Sequence, residues 1–176
     1  MRLEIQWIDV EPGKVFIGSD NRSVLFGGIG PRHEVKIDYN FEISFLPVNY
    51  EIANVALQDE GCYVASESEW ALAMEKKLIS GENEVEELSD RIRGSYWSKY
   101  CDGRPFIEDN WLMKVSRSWS SGKPSINSIR KGEGCEYLRL VKRPKINHDD
   151  SSAPKLPSSS DKSKLLFEEL LISLVI

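Results

Sequence analysis

Alternating apolar and polar residues dominate the first third of the chain and predict short strands. The alternation covers residues 3–10, 15–17, 34–37 and 41–45, and a half-buried strand requires this period of two. A Glu-Pro-Gly-Lys turn at residues 11–14 separates the first two runs, which predicts a hairpin. A glycine-rich loop ending at Pro31 lacks the spacing and the lysine of a phosphate-binding loop, so we interpret it as an ordinary connection.

Two stretches carry the signals of helices. Asn49 is a good N-cap for a short helix over residues 50–57, and Gly61 suits the turn that follows. Ser66 with Glu69 forms a capping-box pattern ahead of the apolar helical face that contains Trp70. This second helix is expected to stop at Ser80-Gly81.

The middle of the chain has weaker periodicity. Residues 82–93 are highly charged and are predicted to form an exposed helix. Residues 94–119 are expected to be irregular, and residues 120–128 to form a polar loop. Residues 135–141 then indicate a last strand.

The final 32 residues change in character. Residues 145–161 are rich in Ser, Pro, Lys and Asp and are typical of a linker. Residues 162–176 predict an apolar helix that is unstable alone in water. Its candidate contact residues are Leu166, Phe167, Leu170 and Leu174. Packing on its own domain, self-association into a homo-oligomer, docking on a partner and contact with a membrane surface all stay open.

Composition narrows the function classes. The net charge of −5 argues against nucleic acid as a partner. The chain has three cysteines far apart in sequence and two histidines, which argues against a zinc site and against a disulfide framework. We therefore expect free thiols, no metal and no cofactor. The charged N-terminal run is no signal peptide, and no apolar run is long enough to span a bilayer. A cytoplasmic protein is therefore expected.

The ordered motifs resemble one family. They are Phe-Ile-Gly-Ser-Asp at 16–20, Pro-Arg-His-Glu-Val at 31–35, Pro-Val-Asn at 47–49, Val-Ala-Ser-Glu-Ser-Glu-Trp at 64–70, Arg-Ser-Trp at 117–119 and Leu-Arg-Leu-Val at 138–141. Together they resemble the formylglycine-generating enzyme, or sulfatase-modifying factor, family. The resemblance covers roughly residues 3–143 and implies an α+β fold of C-type-lectin-like type, with small mixed sheets, two or three helices and long loops, over residues 1–144.

The departures from that family concern its chemistry. Its oxidases hold one copper ion between two nearby cysteines after the segment matched by Arg117-Ser118-Trp119, whereas residues 120–134 contain no cysteine. The calcium-binding central segment is also not recognisable. We therefore expect a degenerate, non-catalytic member that binds a protein or peptide. The alternative is an oxidoreductase of the formylglycine-generating class, acting on a sulfatase cysteine, with a rearranged site.

Candidate binding residues are the aromatic, basic and amide side chains of the loops after Gly94. They are Trp97, Arg104, Trp111, Arg117, Trp119, Asn127 and Arg130. Trp and Arg often dominate binding energies, although a loop-rich domain also needs tryptophans for its core. For His33, Asp20 and the pair Glu67 and Glu69, we prefer structural roles to catalytic or metal-binding ones.

Overall fold

The computed structural model describes residues 4–18, 32–81, 84–92, 100–106, 113–120, 123–130 and 136–146. Over residues 91–92, 113–120 and 123–130 it describes the backbone. The elements in this part of the chain are, in order, β1 (Trp7–Val10), β2 (Gly13–Ile17), β3 (His33–Ile37), β4 (Phe41–Ser44), β5 (Val48–Asn49), α1 (Tyr50–Ala56), β6 (Cys62–Val64), α2 (Glu67–Glu75), β7 (Val85–Ile92), β8 (Met113–Ser120), β9 (Lys123–Arg130), β10 (Tyr137–Leu138) and β11 (Leu140–Lys142). This is an α+β fold with small mixed sheets.

The strands form three sheets. One has the order β1-β4-β11-β6, the second β5-β10-β7-β8-β9, and the third pairs β2 with β3. All ladders are antiparallel except the one between β10 and β7. Strands far apart in the chain meet in the first two sheets, so local sequence alone cannot define their pairing.

The early strands are confirmed, but their predicted hairpin is wrong. β1 pairs with β4 and β2 pairs with β3, so the turn at residues 11–14 links two different sheets. Val15 and Ile17 of β2 are buried, as are Val35 and Ile37 of β3. A turn signal shows where the chain reverses and says nothing of which strand lies beside it.

Both predicted helices are confirmed near their predicted starts. The Asn49 side chain accepts a hydrogen bond from the Glu51 amide and caps α1. Gly61 has a φ of +84°, in the left-handed region that glycine tolerates. The capping box of Ser66 and Glu69 is formed at α2, although α2 ends at Glu75 rather than at residue 80.

The prediction for residues 82–93 is wrong, because Val85–Ile92 is strand β7. Three of the acidic residues that indicated an exposed helix, Glu86, Glu87 and Asp90, have buried side chains. Glu86 and Asp90 are 0% and 1% exposed, and each has internal partners. These charged residues therefore belong to an internal polar network and do not mark an exposed surface.

Two further predictions are corrected by a ladder between β8 and β9. Residues 113–120 are a strand rather than irregular chain, and residues 123–130 form its partner rather than a polar loop. Backbone hydrogen bonds form this ladder whatever the polarity of its side chains. Its many serines therefore suggested a polar loop, although the backbone is extended and paired. The strand predicted at 135–141 appears as β10 and β11, with Arg139 between them.

Buried apolar side chains form two clusters. The larger one, called here the α2 core, contains fourteen buried residues from β1 to β4, α2, β7 and β11 and their connections, with six partly buried neighbours. The smaller one, the α1 core, has five buried residues and six partly buried ones: Val48, Ala53, Cys62, Leu138 and Leu140, with Ile5, Trp7, Ile52, Ala56, Leu57 and Val64 around them. The α1 core is thus the less enclosed of the two.

No helix in the described ranges is long and apolar enough to cross a membrane. The linker and terminal helix predicted over 145–161 and 162–176 lie outside the described residues, except for residues 145 and 146.

Candidate functional site

The N-terminus of α2 carries the densest polar contacts. Ser66 Oγ accepts a hydrogen bond from the Glu69 amide at 3.1 Å, and Glu69 Oε2 accepts one from the Ser66 amide at 2.8 Å. The other carboxylate oxygen, Oε1, accepts a bond from the Tyr39 hydroxyl at 2.8 Å and lies 2.7 Å from Arg143 Nε. Both oxygens of this buried carboxylate are therefore occupied.

Burial controls the electrostatics of this group. Loss of solvent raises the pKa of Glu69 above its usual value of 4.5, and the Arg143 charge and the hydrogen bonds oppose that rise. The pKa of Tyr39 is also raised, first by burial and then by the Glu69 charge. A shifted carboxyl in a cleft indicates catalysis, but here every carboxylate oxygen is used by an internal donor.

The same group fixes the segment of residues 100–106. Ser66 Oγ donates to the Gly103 carbonyl at 2.7 Å, and the Phe106 amide donates to Asp90 Oδ1 at 3.0 Å. Gly103 has a φ of +89°, and a Cβ there would lie 2.8 Å from Tyr39 Oη and 2.9 Å from Ile37 Cγ1. Only glycine fits this close approach without displacing its neighbours.

Among the residues whose burial the structure describes, Arg139 has the largest fully buried side chain. Its guanidinium donates to Glu86 Oε2 from Nε at 3.0 Å and from Nη2 at 2.5 Å. It also donates to the carbonyls of Ser44, Phe45 and Ser80 at 2.7–2.9 Å, so five hydrogen bonds use its five N–H groups.

The other oxygen of Glu86 accepts a bond from the indole N–H of Trp70. Burial lowers the pKa of Arg139, and the Glu86 charge opposes that change. This pair joins β7, β10, β11, α2 and the segment after β4, so its role is to hold elements together.

Sequence reasoning missed this pair. Arg139 stands between Leu138 and Leu140 in an apolar run, which was a usable signal that a buried charge needs a partner. Its partner lies 53 residues away along the chain, and nothing local identifies it.

The buried acids do not form a metal site in the described ranges. No group of three or more His, Cys, Asp or Glu side chains there is arranged to hold a metal ion. Asp90 uses one oxygen for the Phe106 amide and the other for the Glu67 amide at 2.7 Å. His33 is buried at the start of β3. Cys62 is a buried free thiol, and burial raises its pKa.

Among the predicted binding residues, Arg104 lies apart in an internal setting. It is 7% exposed, its Nε donates to Asp102 Oδ2 at 2.8 Å, and its guanidinium carbon lies 5.2 Å from the Tyr100 ring centre. A buried, paired arginine organises its own loop, so a binding role for Arg104 stays a prediction.

Four other candidates meet in the ladder of β8 and β9. Arg117 is paired with Ile126, Trp119 with Pro124, Asn127 with Ser116 and Arg130 with Met113. All four positions therefore lie within one antiparallel strand pair at the end of the five-stranded sheet, where β9 is the outermost strand in the described part.

The composition of that ladder is distinctive. Its sixteen residues include four cations and no acid, in a chain whose net charge is −5: Lys114, Arg117, Lys123 and Arg130. The remaining candidates, Trp97 and Trp111, and the terminal residues Leu166, Phe167, Leu170 and Leu174 lie outside the described residues.

Two of the surface grooves in the described structure lie near the sheets of the N-terminal strands. The first, of about 340 Å³, lies beside α1 and β5, and its lining includes Leu46, Pro47, Ile52 and Tyr137. The second, of about 530 Å³, lies where β1, β4 and β11 end, with Glu42, Glu60 and Lys142 in its lining. Neither groove contains a residue of the β8–β9 ladder.

Comparison with known proteins shows a distant structural likeness. No family model matches the chain, and no curated protein matches it. The solved structure of PvdO from Pseudomonas aeruginosa is similar, with a TM-score of 0.54 and 12% identity, covering 78% of this chain and 94% of that one. At this identity the likeness shows a shared fold, and the chain is thus an α+β protein with the overall architecture of PvdO.

Proposed function

We propose that this protein is a non-catalytic binding module that recognises an acidic segment of a protein or peptide through the ladder of β8 and β9. The observation that carries the proposal is that the ladder contains four cations and no acid. Two of the cations, Arg117 and Arg130, are candidate binding residues, as are Trp119 and Asn127 of the same ladder. Complementary charge speeds encounter and selects partners, and Trp and Arg contribute most where binding energy is concentrated.

The buried acids support the same division of roles. Glu69, Glu86 and Asp90 are used by internal donors, so they hold the fold and leave the chemistry of recognition to other residues. We also propose that the scaffold is the C-type-lectin-like fold of the sulfatase-modifying-factor family, in a degenerate member. The ordered sequence motifs support this assignment.

The test starts from peptides selected with the purified full chain from a random-peptide display library. We expect enrichment in Asp and Glu, and we expect Arg117→Ala and Arg130→Ala each to weaken binding of a selected peptide about tenfold. Lys36→Ala is the matched control, because Lys36 is an exposed cation on β3 outside the ladder. Fluorescence anisotropy at two salt concentrations provides the affinities.

Two results would overturn the proposal. Equal loss of affinity in Lys36→Ala would mean that any surface cation contributes as much as the ladder does, so the ladder is not the binding site. Tighter binding of a single-stranded oligonucleotide than of any selected peptide would assign the ladder to a nucleic acid instead.

The alternative function is a formylglycine-generating oxidoreductase with a rearranged site. Such an enzyme needs two thiolates that converge on one copper ion. Copper(I) titration of the full chain with a competing chelator separates the two proposals. Tight one-to-one binding that Cys→Ser variants abolish would favour the enzyme, and weak binding unaffected by those variants would end that alternative.

A further inference from the structure

The first groove exposes one side of the α1 core. Ile5, Leu46, Pro47, Ile52 and Tyr137 line it as partly buried residues, and Val48 is buried at its floor. Its remaining lining residues, Glu4, Gln6 and Asn49, are exposed and polar. An apolar floor inside a polar rim is the anatomy of a surface that receives an apolar segment.

The α1 core lacks a covering layer at this place within the described structure. Its partly buried members outnumber its buried ones, six to five, whereas the α2 core has fourteen buried and six partly buried. Ile52 and Ile5 belong both to the α1 core and to the groove lining. An apolar segment on the groove would therefore complete an existing core.

The chain itself supplies a segment of matching chemistry. Nine of the twelve residues from 165 to 176 are apolar: Leu165, Leu166, Phe167, Leu170, Leu171, Ile172, Leu174, Val175 and Ile176. As a helix this segment is about 18 Å long. A helix of that length is unstable alone in water, so it needs a surface on which to fold.

The tether between domain and segment allows the contact within one chain. The described part of the chain ends at residue 146, and eighteen residues separate it from residue 165. A random coil of eighteen residues has a mean span of about 23 Å, and a fully extended chain of that length spans about 60 Å. The domain's radius of gyration is about 15 Å, so the groove is within reach at millimolar effective concentration.

We infer that residues 165–176 dock as a helix on the groove formed by Leu46, Ile52 and Tyr137 of the same chain. Intramolecular docking is favoured over a second copy because a tether of this length supplies a local concentration far above that of a dilute protein. The inference does not depend on the β8–β9 ladder.

The test is photo-crosslinking in the full chain, with p-benzoylphenylalanine in place of Phe167. We expect crosslinks to residues 46–52 or to Tyr137 of the same chain, mapped by mass spectrometry in a mixture of isotope-labelled and unlabelled protein. Leu46→Asp should reduce their yield at least fivefold. Val55→Asp should leave the yield unchanged, because Val55 is 68% exposed on α1 and is absent from the groove lining.

A second variant covers the case in which Leu46→Asp disturbs the domain. Leu170→Asp lies on the segment itself, so it should remove the crosslink while the thermal transition of the domain persists. Crosslinks between labelled and unlabelled chains would overturn the inference in favour of a second copy. Crosslinks to other surfaces, or a yield equal to that in 6 M urea, would overturn it outright.

Discussion

The surroundings of α1 and α2 differ in how completely they are closed. Both helices start with a side-chain cap, but the cap of α2 is buried and bonded to the segment around Gly103, whereas the side chain of Asn49 at α1 is exposed and accepts a bond from the nearby Glu51 amide. Beside α2 lie the network of Arg139, whose five N–H groups are all used, and the network of Glu69, whose two carboxylate oxygens are both used. Beside α1 lies the apolar groove.

This difference indicates that the region beside α2 stabilises the fold, whereas the region beside α1 is able to receive another segment. A closed polar network fixes the relative positions of distant strands, but it leaves no free group for a ligand. An open apolar cluster is less stable and can accept a covering segment. Substitutions beside α2 should therefore cost more than matched substitutions beside α1.

The largest expected effect comes from Arg139→Met. It leaves Glu86 as a buried charge without its cation and removes donors from three carbonyls. The free energy of unfolding should fall by about 3–5 kcal/mol in urea titration. Lys142→Met is the control near α1, where Lys142 Nζ lies 4.4 Å from the Trp7 ring centre, and should cost about 1 kcal/mol or less. Equal losses would contradict the comparison.

Glycines provide the next contrast. Gly103→Ala combines a positive φ with contacts below 3 Å, so it should cost about 2–4 kcal/mol. Gly61→Ala has a similar φ of +84° but its nearest neighbour is 3.6 Å from the new Cβ, so only the backbone cost of about 1 kcal/mol applies. Unfolding midpoints measure both. If the Gly103→Ala chain were as stable as the Gly61→Ala chain, the neighbours of Gly103 would have to move aside for the added Cβ at little cost in free energy, contrary to this account.

The caps give a smaller difference. Ser66→Ala removes the capping bond and the bond to the Gly103 carbonyl, and we expect a loss of about 2 kcal/mol. Asn49→Ala removes one exposed capping bond and should cost about 0.5–1 kcal/mol. Thermal unfolding followed by circular dichroism tests the pair, and the reverse order would count against a rigid α2 region.

The pH dependence of stability should show the smallest effect. The pKa of Glu69 is raised in the folded state, so its contribution is present below about pH 4.5 and declines as pH rises from there towards the folded pKa. Glu69→Gln should remove this slope from urea titrations over that window. Glu51→Gln, in the exposed first turn of α1, should keep it. An unchanged slope in Glu69→Gln would mean that the buried carboxyl titrates as it does in the unfolded chain.

Local chemistry was readable from the sequence where the determinant was itself local. The caps of Asn49 and Ser66 and the apolar alternation of the first strands each involve neighbours a few residues apart. These signals predicted both helices and four strands.

Long-range pairing was not readable. β7 was predicted as an exposed helix because Glu86 and Asp90 are charged, and their partners Arg139 and Phe106 lie 53 and 16 residues away. The β8–β9 ladder was missed because its serines and cations resemble a loop, although Met113, Val115 and Trp119 fall on alternate positions of β8. The candidates Arg117, Trp119, Asn127 and Arg130 were chosen by residue type, and only the backbone pairing brought them into one ladder.

The most direct test of the functional account is the affinity of the Trp119→Ala chain for a selected acidic peptide, measured with its unfolding midpoint on the same sample. If recognition belongs to the β8–β9 ladder, affinity should fall at least tenfold while the midpoint stays near that of the unmodified chain. A lower midpoint with unchanged affinity would contradict it, because Trp119 would then support the fold rather than the partner.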